Sequence, residues 1–474
     1  MITHRLYNGV TFPCDGPDLT NIEKIDHGAM PMTLHMMSRG LQVDLSHFAR
    51  MEKELEQDME RVTAEVHSLT GVWCNLDSGD QVSTLLFKTL GLKQAKVKFT
   101  KSGDRESVEN EVLVAIQHEH EVVPKILDFK EFSKLLGTYV RPMPKLAKRT
   151  KHGVWRIYPN LGMTRVPSGR YNCKEPNLLA FPTRTARGKQ IRFGFITDPG
   201  WVYVAVDFSQ FEVRAAAHSS RDPNLMAIYF NEEDIYSDFA IAAFQIPDRR
   251  YKDESGKWKY PGVDKETQRF PSKTCTLASI YDVTAMGLQE QMPVVCRNCR
   301  KPTSSDKKDT PLHDCRDFAP LWTEDACQVL IKAFYLRYPG LLTDRRRHHA
   351  RARQCGFIWD EWGRLHHVAA VHSVHPWVVS GALREVGNFP YQGLNSGALK
   401  LSMAKLHDDF QGTGMLEEVV HPLLPIHDEL LFECREDMAE DIGEHVRETF
   451  EGIVPLNVPV KAEWSSGPDW GSAK

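Results

Sequence analysis

Apolar and polar positions follow two different periods along this chain. Residues 46–69 (SHFARMEKELEQDMERVTAEVHSL) carry apolar side chains at helical spacing behind a Ser46 N-cap, which predicts a long amphipathic helix. Residues 80–89 and 108–136 read as further helices, the second broken at Pro124, so the first 150 residues are mostly helical. The texture then changes. Residues 201–208 (WVYVAVDF) form an apolar, β-rich run that predicts a buried strand and leads straight into helix-forming residues 210–219. Residues 423–434 (LLPIHDELLFEC) read as two strands about a tight turn at His427, Asp428 and Glu429. Residues 437–450 read as a helix and 458–464 as a final strand, while 1–30, punctuated by Pro and Gly, read as an ordered extension. A helical first third, a mixed middle and a β-rich end predict an α+β chain of several domains.

Composition narrows the class. The 474 residues are 41% hydrophobic and 26% charged, which suits a folded chain with a large core and excludes wholesale disorder. No apolar run approaches the ~20 residues of a membrane span. The opening MITHRLYNGVTFPCDGPDLT lacks the apolar core of a secretory signal. Ten scattered cysteines are too sparse for a disulfide scaffold, so reduced thiols in a cytoplasm are expected. The net charge of −4 is less basic than indiscriminate coating of nucleic acid requires. Basic runs at 144–151, 184–192 and 345–353 nevertheless suit a cleft that grips a polyanion, the plainer reading being solvated surface.

Three carboxylates stand out. Asp207 ends the predicted strand, and Asp428 with Glu429 sits at the hairpin tip. An acid among apolar strand residues is costly to bury unless it is paired or metal-bound. Carboxylates at strand ends can hold two hard cations ~3.5–4 Å apart for in-line phosphoryl displacement. Taken alone, a hairpin Asp-Glu is more often turn chemistry.

The surrounding residues decide the weighting. Residues 207–214 (DFSQFEVR), followed by His218, resemble motif A of family A DNA polymerases, usually DYSQIELR. Residues 269–281 (RFPSKTCTLASIY) resemble motif B and 426–433 (IHDELLFE) motif C. Residues 168–184 (SGRYNCKEPNLLAFPTR) are similar to the segment TGRLSSTDPNLQNIPVR of that family. Arg384, Asn388 and Gln392, followed by Gly393, match its R…N…QG helix, and 459–470 (PVKAEWSSGPDW) its closing strand and tail. The resemblance runs in collinear order from about residue 31 to the end.

It implies a right-hand polymerase fold of class α+β. Residues 1–30 would be an N-terminal extension, 31–150 a helical thumb, 151–245 and 384–474 a palm of antiparallel sheet plus helices, and 246–383 helical fingers. It implies a template-directed DNA polymerase with a catalytic set of Asp207, Asp428, Glu429 and Lys273. Asp207, Asp428 and the carbonyl of Phe208 would bind two Mg²⁺, with Glu429 a weaker partner and Lys273 protonating the leaving pyrophosphate. Glu212 would crowd a ribose 2′-hydroxyl with Gln210 near it, Arg269 would meet the triphosphate, Tyr281 would border the nascent base pair, and His427 would touch the primer end. Arg170, Asn177, Arg384, Asn388 and Gln392 would contact DNA. The i, i+4, i+8, i+12 spacing of Arg269, Lys273, Leu277 and Tyr281 puts them on one broad helix face.

Departures from the family pattern matter. Pro271 fits only a first helical turn, so Arg269 is expected to precede the helix proper. Leu277 replaces the usual Phe or Tyr, which predicts altered sugar discrimination, and Asp282 stands where Gly is usual. Residues 292–320 exceed the family's short loop. Their Cys296, Cys299, His313 and Cys315 have the composition of a structural Zn²⁺ site with an unusual His-x-Cys step, the alternative being a plain loop with reduced thiols. Residues 1–30 are too short for the proofreading domain that usually precedes this unit, so no intrinsic 3′-5′ exonuclease is expected.

The expected partners are primer-template DNA, deoxynucleoside triphosphates and a separate exonuclease or processivity subunit. The chain is expected to be a cytoplasmic monomer, in the host cytoplasm if a phage encodes it. A single-subunit RNA polymerase is the near rival, against which Glu212 and the His-Asp-Glu form of motif C argue. An inert DNA-binding scaffold is the other, against which Asp207, Asp428, Lys273 and Tyr281 together argue.

Overall fold

The computed structural model describes residues 17–93, 106–117, 119–182, 185–292, 294–296, 318–320 and 322–473. Its longer elements are α1 (Thr20–Arg39), α2 (Leu45–Thr70), α3 (Val122–Leu135), β1 (Trp201–Phe208), α4 (Phe211–Ser220), α5 (Pro223–Phe230), α6 (Ile235–Ala243), α7 (Phe270–Ile280), α8 (Glu324–Arg337), α9 (Pro339–Cys355), α10 (Pro376–Gly412), β2 (Val420–Ile426), β3 (Glu429–Arg435), α11 (Ala439–Gly452) and β4 (Ala462–Gly467). The chain is thus α+β, with one four-stranded antiparallel sheet in the order β2-β3-β1-β4. Among the described residues no helix is long and apolar enough to cross a membrane.

Strand alternation gives that sheet two unlike faces. Val204, Val206 and Phe208 point one way and are buried against α10 and α11, where Phe208 stacks on Phe450 at 4.2 Å and Phe432 meets Phe410. Each such side chain removed from water stabilises the layer by ~1.5–3 kcal/mol. Tyr203, Ala205 and Asp207 point the other way. At the Tyr203 end that face is closed by α1: Arg39 pairs with buried Glu433 at 3.1 Å, and His35 stacks on His421, which stacks in turn on Trp201. The Asp207 end is half-buried and opens toward α4.

Two hydrophobic cores share α2. Phe48, Met51 and Leu55 belong to the main core, whereas Val62 and Val66 join Ile126 and Phe129 in a separate helical cluster. One 26-residue helix therefore ties the helical arm to the body. Elsewhere, α6 meets the α8–α9 junction at Asp238, which accepts two hydrogen bonds from Arg337 (2.9 and 2.8 Å) and one from Tyr338 (2.8 Å).

Several expected boundaries move. The break expected at Pro124 comes earlier, because Pro124 occupies the first turn of α3, where its missing N–H has no helical partner to lose. The N-cap of α2 is Asp44, whose carboxylate accepts from the Ser46 N–H at 2.8 Å, rather than Ser46 itself. The boundary expected at residue 30 falls inside α1, which packs along α10 and β2. Its partners are therefore sheet and long-helix residues, and Lys400 of α10 donates to Asp26 at 2.8 Å within it. The last strand is Ala462–Gly467, not 458–464, because register with β1 starts at Ala462 opposite Phe208. Cys355 is disulfide-bonded where reduced thiols were expected, since pairing depends on proximity in the fold rather than on spacing. Cys74, Cys173, Cys275, Cys327 and Cys434 are free.

Candidate active site

The sheet brings two distant acids together. Residues 420–435 form a hairpin whose two-residue turn is His427-Asp428, with His427 at φ +60°, the positive φ that primed hairpin turns require. Glu429 is already the first residue of β3 and pairs with Asp207 of β1, while Glu463 of β4 pairs with Asp207 from the other side. The Phe208 N–H donates to the Asp428 carbonyl at 3.1 Å. The register thus brings Asp207 and Asp428 to one end of the sheet, with Glu429, 1% exposed, directly across from Asp207. Among the described residues no group of three or more His, Cys, Asp or Glu forms a metal cage. Two carboxylates and a carbonyl suit a hard ion that takes its remaining oxygens from water and phosphate.

A second charged pair borders these acids. Glu212, in the first turn of α4, is bonded to the guanidinium of Arg170. Burial, then the nearby Asp428 charge, push the Glu212 carboxyl up to about 7, and burial lowers Arg170 against the pull of Asp428. Arg170 follows Ser168, whose carbonyl accepts from Ser396 of α10 at 2.6 Å, and Gly169, whose missing side chain leaves room for Arg364. Gln210 caps α4 in a left-handed conformation (φ +54°) and accepts from the Tyr229 hydroxyl at 3.3 Å. Arg214 has a structural part: it lies over Tyr229 and donates to the Ser209 carbonyl at 2.8 Å.

The motif B cations converge on an aromatic ring. Arg269 is the residue before α7, with Pro271 in the first turn, and it grips Asp234 through two hydrogen bonds of 2.7 and 3.0 Å. Arg269 and Lys273 stand 5.3 and 6.0 Å from the centroid of Tyr236. Burial pushes the Tyr236 hydroxyl up to about 12. Lys273, Leu277 and Tyr281 are all half-buried, as one shared face requires, although Tyr281 is the residue after the helix. Asp282 adopts φ +57°, the left-handed conformation for which Gly is usual, and is held by Arg345 at 2.9 Å.

The remaining positions are more dispersed. Arg384, Asn388 and Gln392 form a half-buried stripe on α10, where Arg384 donates to Ser380 at 2.9 Å. Asn177 is exposed before the short turn Leu178–Ala180, and His427 is exposed at the hairpin tip. Cys299, His313 and Cys315 lie outside the described residues, as does the side chain of Cys296. The strands Val294–Cys296 and Phe318–Pro320 pair antiparallel there. Sequence reasoning missed Asp234, Tyr236 and Glu463. Asp234 had a local signal, as the N-cap of α6 whose carboxylate accepts from the Ser237 N–H, but its grip on Arg269 is a long-range contact.

Comparison with known proteins agrees with this architecture. The family model described as DNA polymerase family A matches residues 45–472. The chain is 30% identical over 475 residues to "DNA polymerase I, thermostable" of Thermus aquaticus, covering 100% of this chain and 51% of that protein. It is 27% identical over 475 residues to DNA polymerase I of Pseudomonas aeruginosa, covering 100% of this chain and 46% of that one. The chain therefore spans about half the length of the curated relatives it matches. Its fold is similar to the POL domain of Pol1 from M. smegmatis, solved in complex with DNA primer-template and dNTP, with a TM-score of 0.78, 24% identity, and coverage of 94% of this chain and 70% of that chain. With that family's match spanning residues 45–472, and so the segments around Asp207, Lys273 and Asp428, this chain belongs to DNA polymerase family A.

Proposed function

We propose that the chain is a template-directed DNA polymerase that adds deoxynucleotides to a primer 3′-hydroxyl. The observation that carries this reading is the strand register that sets Asp207 against Glu429, with the Phe208 N–H donating to the Asp428 carbonyl. Bound at Asp207, Asp428 and the Phe208 carbonyl, two Mg²⁺ ions would supply a lowered pKa at the primer hydroxyl and charge neutralisation at the triphosphate. The chain's own residues do the rest. Arg269, steadied by Asp234, and Lys273 meet triphosphate oxygens, and Lys273 gives a proton to the departing pyrophosphate. Glu212, with Gln210 beside it, closes the space a ribose 2′-hydroxyl would need; Leu277 and Tyr281 border the incoming sugar and the nascent pair.

Arg170, Asn177, Arg384, Asn388 and Gln392 take the primer-template, and His427 the primer end. In this reading β1–β4, α10 and α11 are the palm, α6–α9 the fingers, and the separate cluster of α2 and α3 the thumb, with α1 counted to the palm by its contacts. The 474-residue chain is also proposed to leave a mismatched primer uncut in the absence of nucleotides.

The test is primer extension by the purified chain with Mg²⁺ and either deoxynucleotides or ribonucleotides. Extension with strong preference for deoxynucleotides is expected. Preference for ribonucleotides would favour an RNA polymerase, and DNA binding without extension a scaffold.

A further inference from the structure

Helix α7 stops in a closely determined way. The Asp282 N–H donates to the Ser279 carbonyl at 3.2 Å and the Val283 N–H to the Ala278 carbonyl at 3.1 Å, with Asp282 at φ +57°. These are the two bonds of a Schellman stop, in which the left-handed residue is usually Gly because a side chain costs backbone energy there. Asp tolerates that conformation better than most residues, yet a residue in a sparsely populated region persists only where its surroundings over-determine it.

Here the surroundings converge in one guanidinium. Arg345 of α9, 8% exposed, donates to the Asp282 carboxylate at 2.9 Å, to the Ser279 carbonyl at 2.5 Å and to the Ile280 carbonyl at 3.4 Å. It also donates to the hydroxyl of Tyr335 on α8, and that hydroxyl donates to the Ser279 carbonyl at 2.8 Å. A cation belongs at this place, since the last carbonyls of a helix carry its negative end. Only the planar fork of Arg reaches several acceptors at once, and bonds to an ionised partner are the stronger kind. Tyr281 sits between two anchored neighbours: the Ile280 carbonyl before it and the Asp282 carboxylate after it both hold Arg345. Its backbone cannot turn without breaking one of those bonds. Gly at 282 would permit the same φ but supply no anchor.

We infer that Arg345 and Asp282 are positioning residues that determine specificity: their ion pair fixes the backbone on both sides of Tyr281 and so holds its ring where it senses the shape of the nascent base pair. This rests on the polymerase reading above, and both residues act through Tyr281 rather than by touching substrate.

The experiment measures kcat/KM for matched and mismatched deoxynucleotides in Mg²⁺, with wild type, Arg345→Gln, Asp282→Gly and the double variant. Asp282→Gly keeps the left-handed turn without strain, so loss of folding cannot stand in for loss of the pair. Each single variant should lose about tenfold of discrimination, within the ~100-fold that a small misplacement near the reacting groups can cost. The double variant should lose no more than either single one, because the same contact is broken twice. Tyr281→Ala should also lose discrimination, and adding Arg345→Gln to it should change the ratio little further, a coupling that a purely structural part for Arg345 would not produce. Discrimination within about twofold of wild type in both single variants, or losses that multiply when Arg345→Gln is added to Tyr281→Ala, would overturn the inference while wild type still extends the primer. Failure of wild type to extend a matched primer would instead remove the polymerase reading and this clamp's role with it.

Discussion

Glu212→Gln should change how stability depends on pH more than it changes stability at any one pH. The folded chain holds the Glu212 carboxyl at about 7, against an ordinary 4.5, because burial and the Asp428 charge disfavour its ionised form. A carboxyl raised in this way binds its proton more tightly folded than unfolded. Its contribution is therefore fully present below pH 4.5 and is lost as pH rises through 7. At about 1.36 kcal/mol per pH unit the full difference is about 3.4 kcal/mol. The contact with Arg170 and the 19% of the side chain that stays exposed reduce the loss between pH 5 and 8 to about 2 kcal/mol. Gln cannot ionise, so the variant is spared that loss. The assay is urea unfolding of both proteins at pH 5, 6.5 and 8, with chelator present so that no cation masks Asp428. The variant should gain about 2 kcal/mol on wild type across that range. Parallel stability curves would refute the argument that this acid is held against its electrostatic preference.

Other changes have separable readouts. If Leu277 borders the incoming sugar as proposed, Leu277→Phe should shift the ratio of dideoxynucleotide to deoxynucleotide incorporation; an unchanged ratio would remove Leu277 from sugar discrimination. Asp26→Asn leaves the Lys400 ammonium, 0% exposed, and the Arg364 guanidinium without their shared carboxylate, and should cost about 3 kcal/mol in denaturant unfolding. Gly397→Ala would drive a Cβ into the Trp362 indole, and should cost about 1–3 kcal/mol by overpacking, seen as a lowered melting temperature.

The central sheet was readable in the sequence because its physics is local. The apolar, β-rich run WVYVAVDF announces the strand, and the alternation of Val204, Val206 and Phe208 with Tyr203, Ala205 and Asp207 fixes which face carries the acid. The hairpin tip was readable for the same reason, with the refinement that Glu429 begins a strand instead of sitting in the turn. Helix α1 was hidden, because Pro31 lies inside it and its buried stripe of Ile25, Ala29, Met32 and Met36 is short on large aliphatic side chains. Its helicity is secured by α10, a contact some 370 residues away in sequence, as between Asp26 and Lys400. Strand β4 ends in Ser-Ser-Gly, which reads as a turn, yet it pairs with β1 as the sheet's edge. The Asp234–Arg269 and Arg170–Glu212 pairs join elements that no local pattern connects.

The most direct measurement of the central claim is single-turnover nucleotide incorporation by wild type, Asp207→Asn and Asp428→Asn in Mg²⁺, with primer-template affinity measured in parallel. Both substitutions keep side-chain size and remove one charge. Each is expected to lower incorporation by at least about a thousandfold, the scale of losing a charge-stabilising group at the reacting phosphate, while DNA affinity stays within a few-fold. Incorporation by either variant at near wild-type rate would contradict the claim.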